Sequence, residues 1–145
     1  MSFPVPQPGL VIRYSYLWAR EADAGQEEGV KDRPCAVILV TQDDAGRQRV
    51  LVLPITHSAP SDPAAAVEIP AATKQRLGLD FERSWIVLTE LNDFIWPGPD
   101  LRPLASDDAG SVAFGMLPPS LFRTVRERFV ALARAKRVGQ VHRTE

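Results

Sequence analysis

Hydrophobic residues occur along this chain in short runs, separated by polar segments that contain glycine and proline. This spacing is typical of short β-strands joined by turns. The predicted strands are residues 9–18, 34–40, 50–55, 67–69, 84–88, 94–96 and 112–114. Two stretches instead indicate helices. A short one spans residues 70–77 and ends before Gly78, a residue type that often caps helices. A longer one runs from Pro118 to about Lys136, and its apolar residues are spaced by four and three.

This order of elements predicts a fold that is mainly β with some α: a small, half-open antiparallel barrel with one short helix and a C-terminal helix over it. The 145 residues are enough for one domain with its own core. We place that domain at residues 9–137, after an extended lead-in at 1–8 and before a frayed tail at 138–145. Residues 19–32 are predicted to be a long polar loop, either an ordered lid or a disordered segment.

Composition narrows the class of protein. The 13 prolines favour short strands and corners over a helical bundle. No segment reaches the ~18–20 apolar residues that span a bilayer, and the first residues lack the features of a signal peptide, so we expect a cytoplasmic protein with no membrane partner. Cys35 is the only cysteine, which excludes an internal disulfide and a thiolate metal cluster.

The candidate chemistry lies at one end of a predicted hairpin. Strands 34–40 and 50–55 flank turn residues at 43–46, so the start of the first strand should lie beside the end of the second. That register makes Arg33 a neighbour of Thr56, which begins the triplet Thr56-His57-Ser58 at the end of the second strand. A guanidinium presents a planar fork of donors to phosphate, and a hydroxyl can add another hydrogen bond. The hairpin therefore predicts a phosphate site.

Each of these residues also has a structural interpretation. Arg33 could form a surface ion pair with Asp32, and Thr56 could end its strand by bonding a nearby backbone group. The imidazole of His57 is suited to proton transfer near neutral pH, or it could have a structural or solvent-facing role. In an extended strand His57 faces away from Thr56, so both serve one site only if the strand ends or bulges there.

Several segments, taken in order, resemble a known family. They are Pro8-Gly9-Leu10-Val11-Ile12, Glu27 to Gly29, Arg33-Pro34-Cys35-Ala36-Val37-Ile38, Val52-Leu53-Pro54-Ile55-Thr56, Trp85-Ile86-Val87-Leu88-Thr89-Glu90-Leu91-Asn92 and Gly115-Met116-Leu117. This pattern is similar to that of the PemK/MazF-type toxins of type II toxin–antitoxin systems, which are mRNA interferases. The Arg-Pro strand followed by Pro-Ile-Thr is the more specific part.

The resemblance implies an SH3-like barrel and a homodimer that cleaves single-stranded mRNA without a metal or other cofactor. The products would carry 2′,3′-cyclic phosphate and 5′-hydroxyl ends, and a cognate antitoxin would mask the RNA groove. The family's catalytic arginine and threonine correspond to Arg33 and Thr56, and we add His57 for proton transfer. The candidate RNA contacts are Glu27, Ser58, Glu90, Asn92 and Trp96. Glu90 and Asn92 could instead close a turn, and Trp96 could be a core residue.

The sequence also departs from the family pattern. His57 stands where most members have Ser or Thr, Thr89-Glu90 replaces an Asp-Gln pair, and Asn92 replaces an arginine. Two alternatives to a nuclease therefore stay open: a non-catalytic toxin-fold protein that binds a protein such as DNA gyrase, or an inactive relative that keeps only its antitoxin-binding surface. The net charge of −1 mildly favours these alternatives, since RNA binding gains from basic surface.

Overall fold

The computed structural model describes residues 3–26, 29, 31–104 and 110–143 of the chain. Within these residues it contains eight β-strands, three α-helices and one short 3-10 turn at Pro63–Ala65. The strands are β1 Leu10–Tyr14, β2 Arg33–Gln42, β3 Gln48–Thr56, β4 Ala66–Glu68, β5 Trp85–Val87, β6 Glu90–Ile95, β7 Ala113–Met116 and β8 Gly139–His142. The helices are α1 Ala19–Asp23, α2 Ala71–Leu77 and α3 Pro119–Arg134. The fold is mainly β with α, as predicted. None of the described helices is long and apolar enough to cross a membrane.

The long strand β3 organises the sheet because it changes partner along its length. On one side it pairs with β2, from Gln48 to Pro54. On the other side its first half pairs with β6, and its last two residues pair with β5. The change falls at Leu53 and Pro54, where the proline has no N–H to donate to a ladder. In the described residues the sheet is not closed, and all its pairings are antiparallel except that of β6 with β8.

The central strands are covered on both faces. In β1, Val11 belongs to one apolar cluster, whereas Leu10 and Ile12 belong to another on the opposite face, as the two-residue period of a strand requires. The first cluster also receives Leu77 from α2 and Val125 and Leu132 from α3. The second includes Tyr14, Tyr16, Phe94 and Trp96, and we call it the aromatic cluster. Within it the rings of Tyr14 and Phe94 are stacked 4.7 Å apart.

Two local predictions are confirmed in detail. The turn between β2 and β3 is held by the carboxylate of Asp43, which accepts hydrogen bonds from the backbone N–H groups of Ala45 at 3.0 Å and Arg47 at 2.9 Å. Helix α2 ends at Gly78, whose φ of 74° is the left-handed conformation that glycine adopts most readily.

Cys35 is buried in β2, and burial raises the pKa of its thiol well above the ordinary range. A thiol held in its neutral form is a poor nucleophile, so the structure favours a packing role for Cys35.

The segment predicted as a long loop at residues 19–32 contains a helix instead. Strand β1 ends at Tyr14, four residues earlier than predicted, and α1 begins at Ala19. The carboxylate of Glu21 accepts a hydrogen bond from the backbone N–H of Trp18 at 3.0 Å, and this contact closes the first turn of α1.

The prediction of a frayed tail at residues 138–145 is also wrong for the described residues, 138–143. Residues Gly139–His142 form β8, which pairs in parallel with β6. The next residue, Arg143, is only 7% exposed. Its guanidinium donates to the backbone oxygen of Ser15 at 2.8 Å and to Oδ1 of Asn92 at 3.0 Å, and it lies 3.0 Å from the carboxylate of Asp100. Composition did not indicate this strand because its partners are distant in sequence.

We expect Arg143→Met to lower the free energy of unfolding by about 3 kcal/mol, since it leaves the largely buried carboxylate of Asp100 without its guanidinium. The measurement is urea unfolding followed by tryptophan fluorescence. Arg134→Met, on the exposed side of α3, removes the same charge and should change stability by less than about 0.5 kcal/mol. Equal stabilities of the two variants would mean that β8 does not dock as described.

Candidate functional site

A cleft with a volume of about 430 Å³ opens at the end of the β2–β3 hairpin. Its walls come from the start of β2, the end of β3, the beginning of α1 and the segment after α2. The lining includes the aromatic and polar side chains of Trp18, Arg20, Lys31, Arg33, Thr56, His57, Ser58, Lys74 and Asp80. We call it the Arg33 cleft. It contains all three residues for which the sequence predicts catalytic roles.

The hairpin register places Arg33 in the cleft. Cys35 pairs with Pro54 across the antiparallel ladder. Two residues before Cys35 and two residues after Pro54, Arg33 lies opposite Thr56. The guanidinium of Arg33 lies 4.9 Å from the ring centroid of Trp18, and its Nη1 lies 3.4 Å from the backbone oxygen of Ile55. The ring and the carbonyl fix the orientation of the cation.

The ion pair considered for Arg33 does not form. Asp32 instead lies 3.7 Å from the guanidinium of Arg13 and 3.5 Å from that of Arg102. Within the described residues no carboxylate comes within 4.0 Å of the Arg33 guanidinium, and its buried Nε has no hydrogen-bond partner there. The charge of Arg33 is therefore available to an anion in the cleft.

Thr56 ends β3 in the way its structural interpretation anticipates. Its Oγ1 accepts a hydrogen bond from the backbone N–H of Ser58 at 3.2 Å. This bond uses the oxygen as an acceptor and leaves the hydroxyl proton able to donate to a ligand. Because the strand ends at Thr56, the alternation of a strand stops there, and His57 and Ser58 line the same cleft as Thr56.

The imidazole of His57 lies between two carboxylates. Its Nε2 is 2.7 Å from Oδ2 of Asp80, and its Nδ1 is 3.5 Å from Oε2 of Glu82. About half of the side-chain surface of both His57 and Asp80 is exposed. The histidine is therefore held in place and remains accessible from the cleft.

Behind Asp80 lies a buried lysine. Lys74, on α2, is 4% exposed, and its Nζ lies 2.5 Å from Oδ1 of Asp80. The same ammonium donates to Ser84 Oγ at 2.6 Å and to the backbone oxygen of Glu82. Partial burial acts to raise the pKa of Asp80, but hydrogen bonds from Lys74 and His57 outweigh it and lower that pKa below its ordinary value. Asp80 is an ionised acceptor at neutral pH.

The ligand atoms of His57, Asp80 and Glu82 lie within 4.8 Å of one another, a spacing that a metal ion could bridge. Both oxygens of Asp80 already have partners, and one partner is the ammonium of Lys74. A second cation beside that ammonium would be repelled. The group is better described as a hydrogen-bonded cluster than as a metal centre.

Three of the predicted RNA contacts do not reach the cleft. Glu90 accepts hydrogen bonds at Oε1 from the hydroxyl of Tyr16 at 3.0 Å and from the backbone N–H of Ala19 at 2.9 Å. Asn92 is fully buried, and its amide bonds both backbone groups of Leu17. Trp96 is 9% exposed and packs in the aromatic cluster beside Phe94. Of the other two, Ser58 is exposed in the cleft, and Glu27 lies outside the described residues.

Glu90 and Asn92 nevertheless affect the cleft indirectly. They bond the backbone on either side of Trp18, at Leu17 and Ala19. Trp18 in turn carries the guanidinium of Arg33 on its ring. The two polar side chains therefore position the aromatic support of the candidate catalytic cation.

Trp18, Lys74 and Asp80 are site residues that the sequence did not predict. One signal for Lys74 was present, since it lies three positions before Leu77 and therefore on the same face of the predicted short helix as that apolar residue. A lysine on such a face requires a partner of opposite charge. No comparable pattern identifies Trp18 as the support of Arg33.

A scan against protein-family models finds no match for this chain, and a search of the curated proteins finds none either.

We expect Asp80→Asn to lower stability by about 1 kcal/mol at neutral pH, because an ionised acceptor bonds Lys74 more strongly than an amide does. The pKa of Asp80 is lowered in the folded state, so its contribution is full above its ordinary value of about 4 and is lost as the pH falls through the lowered pKa. Urea unfolding at a series of pH values should show the wild type and the variant converging on acidification. Glu82→Gln is the control, and a constant difference for Asp80→Asn would contradict the ion pair.

Proposed function

We propose that this chain is the toxin component of a type II toxin–antitoxin system, a metal-independent endoribonuclease that cleaves single-stranded mRNA. The observation that carries the proposal is the placement of Arg33. Its guanidinium is fixed on the Trp18 ring, has no carboxylate within 4.0 Å among the described residues, and shares a cleft with Thr56. These are the two positions at which the resemblance implies catalytic residues.

The dimensions and charge of the site agree with a nucleotide ligand. The cleft volume of about 430 Å³ lies in the range usual for small-ligand pockets. A second pocket of about 370 Å³ adjoins it and shares Trp18, Arg20, Lys31 and Arg33 with it. The shared cations supply positive charge along both pockets, which suits the phosphates of a strand longer than one nucleotide.

The proposed reaction is the attack of a ribose 2′-hydroxyl on the adjacent phosphate. The bond from O2′ to phosphorus forms, the bond from phosphorus to O5′ breaks, and the products carry a 2′,3′-cyclic phosphate and a 5′-hydroxyl. Arg33 stabilises the additional negative charge on the phosphate oxygens, and the hydroxyl of Thr56 donates to one of them. His57 is the group in the cleft suited to proton transfer.

The remaining parts of the proposal follow from the same resemblance. The finer fold would be an SH3-like barrel, and the active form would be a homodimer in the cytoplasm. A cognate antitoxin would bind over the RNA groove. The open sheet with α2 and α3 packed on one face is compatible with such a barrel.

The first experiment is cleavage of a long single-stranded RNA in EDTA. Wild type should cut at specific sites and leave 5′-hydroxyl ends that polynucleotide kinase labels without prior phosphatase treatment. Arg33→Ala should lower the rate by at least about 100-fold, because it removes a charged donor to the transition state. Thr56→Val, which keeps the shape of the side chain, should lower it by about tenfold or more.

The matched control is Arg47→Ala, at the other end of the same hairpin and outside the cleft. It removes the same charge and should keep wild-type activity. Full cleavage by Arg33→Ala would refute the site assignment. Intact RNA in the presence of folded wild type, together with loss of gyrase supercoiling activity, would favour the non-catalytic alternative.

A further inference from the structure

The loop after α2 returns Asp80 to the cleft and places it between a buried cation and the candidate proton-transfer group. Gly78 reverses the chain at the end of α2, and the backbone N–H of Leu79 donates to the oxygen of Lys74 at 2.9 Å. Asp80 then follows at once. Its carboxylate contacts Lys74 through Oδ1 and His57 through Oδ2.

The carboxylate of Asp80 has little freedom to turn. Oδ1 is 2.5 Å from the ammonium of Lys74 and also accepts from the backbone N–H of Glu82 at 3.2 Å. Lys74 is itself fixed by Ser84 Oγ and the backbone oxygen of Glu82. These contacts leave Oδ2 directed at Nε2 of His57, at 2.7 Å.

An ionised carboxylate can only accept hydrogen bonds, so the hydrogen of this contact must belong to the imidazole. A neutral imidazole carries one hydrogen, and here Nε2 holds it. Nδ1 then has the free lone pair. Its nearest charged neighbour is Glu82, at 3.5 Å, and that side chain is 72% exposed and therefore displaceable.

We propose that Asp80 is the positioning residue that fixes the tautomer of His57, and that Nδ1 is the atom that takes the proton from the attacking 2′-hydroxyl. The inference rests on the proposed function for its catalytic part. The proton passes to Nδ1 while the electron pair of the O–H bond forms the bond from O2′ to phosphorus. The departing O5′ takes a proton from water, and the imidazolium later returns its own proton to solvent.

The charged groups around the ring are consistent with this role. Asp80, 2.7 Å from Nε2, stabilises the imidazolium that forms in the reaction, whereas the carboxylate of Glu82 is 72% exposed and its charge is screened by solvent. Lys74 lies behind Asp80, and Lys31, Asp32 and Arg33 also line the cleft.

The first test is spectroscopic and needs no RNA. Long-range proton–nitrogen correlation spectra of the 145-residue chain, recorded in EDTA with both rings neutral, report which nitrogen of each histidine carries hydrogen. The chain has only two histidines. His57 should carry hydrogen on Nε2, whereas His142, whose Nδ1 lies 2.5 Å from Asp93, should carry it on Nδ1.

Asp80→Asn should shift His57 towards the tautomer with hydrogen on Nδ1, because the amide oxygen must accept from Lys74 and the amide NH2 then donates to Nε2. Glu82→Gln removes the same charge near the same ring and should leave the spectrum of His57 unchanged. Hydrogen on Nδ1 of His57 in the wild type, or an unchanged spectrum in Asp80→Asn, would overturn the proposal.

The second test is kinetic. Asp80→Asn should lower kcat for RNA cleavage by about tenfold or more and leave KM nearly unchanged, since it affects proton transfer and not phosphate binding. Glu82→Gln should stay within about threefold of wild type. In a His57→Ala background, Asp80→Asn should cause no further loss, because Asp80 acts through His57.

The spectroscopic and kinetic tests distinguish a failure of the proposed function from a failure of the positioning role of Asp80. If wild type leaves RNA intact, the proposed function fails together with the catalytic part of this inference, and the spectra alone decide whether Asp80 fixes the ring. If wild type cleaves RNA and Asp80→Asn cleaves it equally well, the proposed function stands and the positioning role is refuted.

Discussion

Much of this fold depends on the contacts of one buried group, the guanidinium of Arg143. A charge in the interior is tolerated only when hydrogen bonds and an opposite charge surround it, and Arg143 meets this condition with Ser15, Asn92 and Asp100. These partners lie on three separate parts of the chain. One residue therefore fastens the C-terminal strand, strand β6 and the segment after β1 to each other.

That contact extends to the candidate site through a short series of bonds. Asn92, which accepts from Arg143, also bonds both backbone groups of Leu17, and Trp18 follows immediately. Trp18 supports Arg33.

Many other arginines in the described chain have carboxylate partners, among them Arg13, Arg49, Arg83 and Arg102. Arg33 has the Trp18 ring instead, and this contact compensates only part of the hydration that the guanidinium loses, since a cation–π contact contributes about 0.5–2 kcal/mol. An anion in the cleft would supply the rest.

Local patterns in the sequence were enough to predict the hairpin of β2 and β3, the turn at Asp43 and the helix that ends before Gly78. The proximity of Arg33 and Thr56 also followed, because antiparallel pairing makes it a consequence of strand lengths. The helix α1 and the strand β8 were missed, since each is stabilised by partners far away in sequence. Residue type alone also could not show that Glu90 and Asn92 face inward, because either face of a strand end can carry a polar group.

The inward orientation of these side chains bears on how a nucleic acid could be recognised. A residue reads a base only through polar atoms that are both exposed and free to form new bonds. Asn92 is fully buried with its amide bonded to Leu17, Glu90 bonds Tyr16 and Ala19, and Trp96 packs in the aromatic cluster. Under the proposed function, recognition at the Arg33 cleft would therefore fall to its exposed polar residues, such as Arg20, Lys31 and Ser58. Residues that resemble base-reading positions in the sequence would here build the support for the catalytic cation.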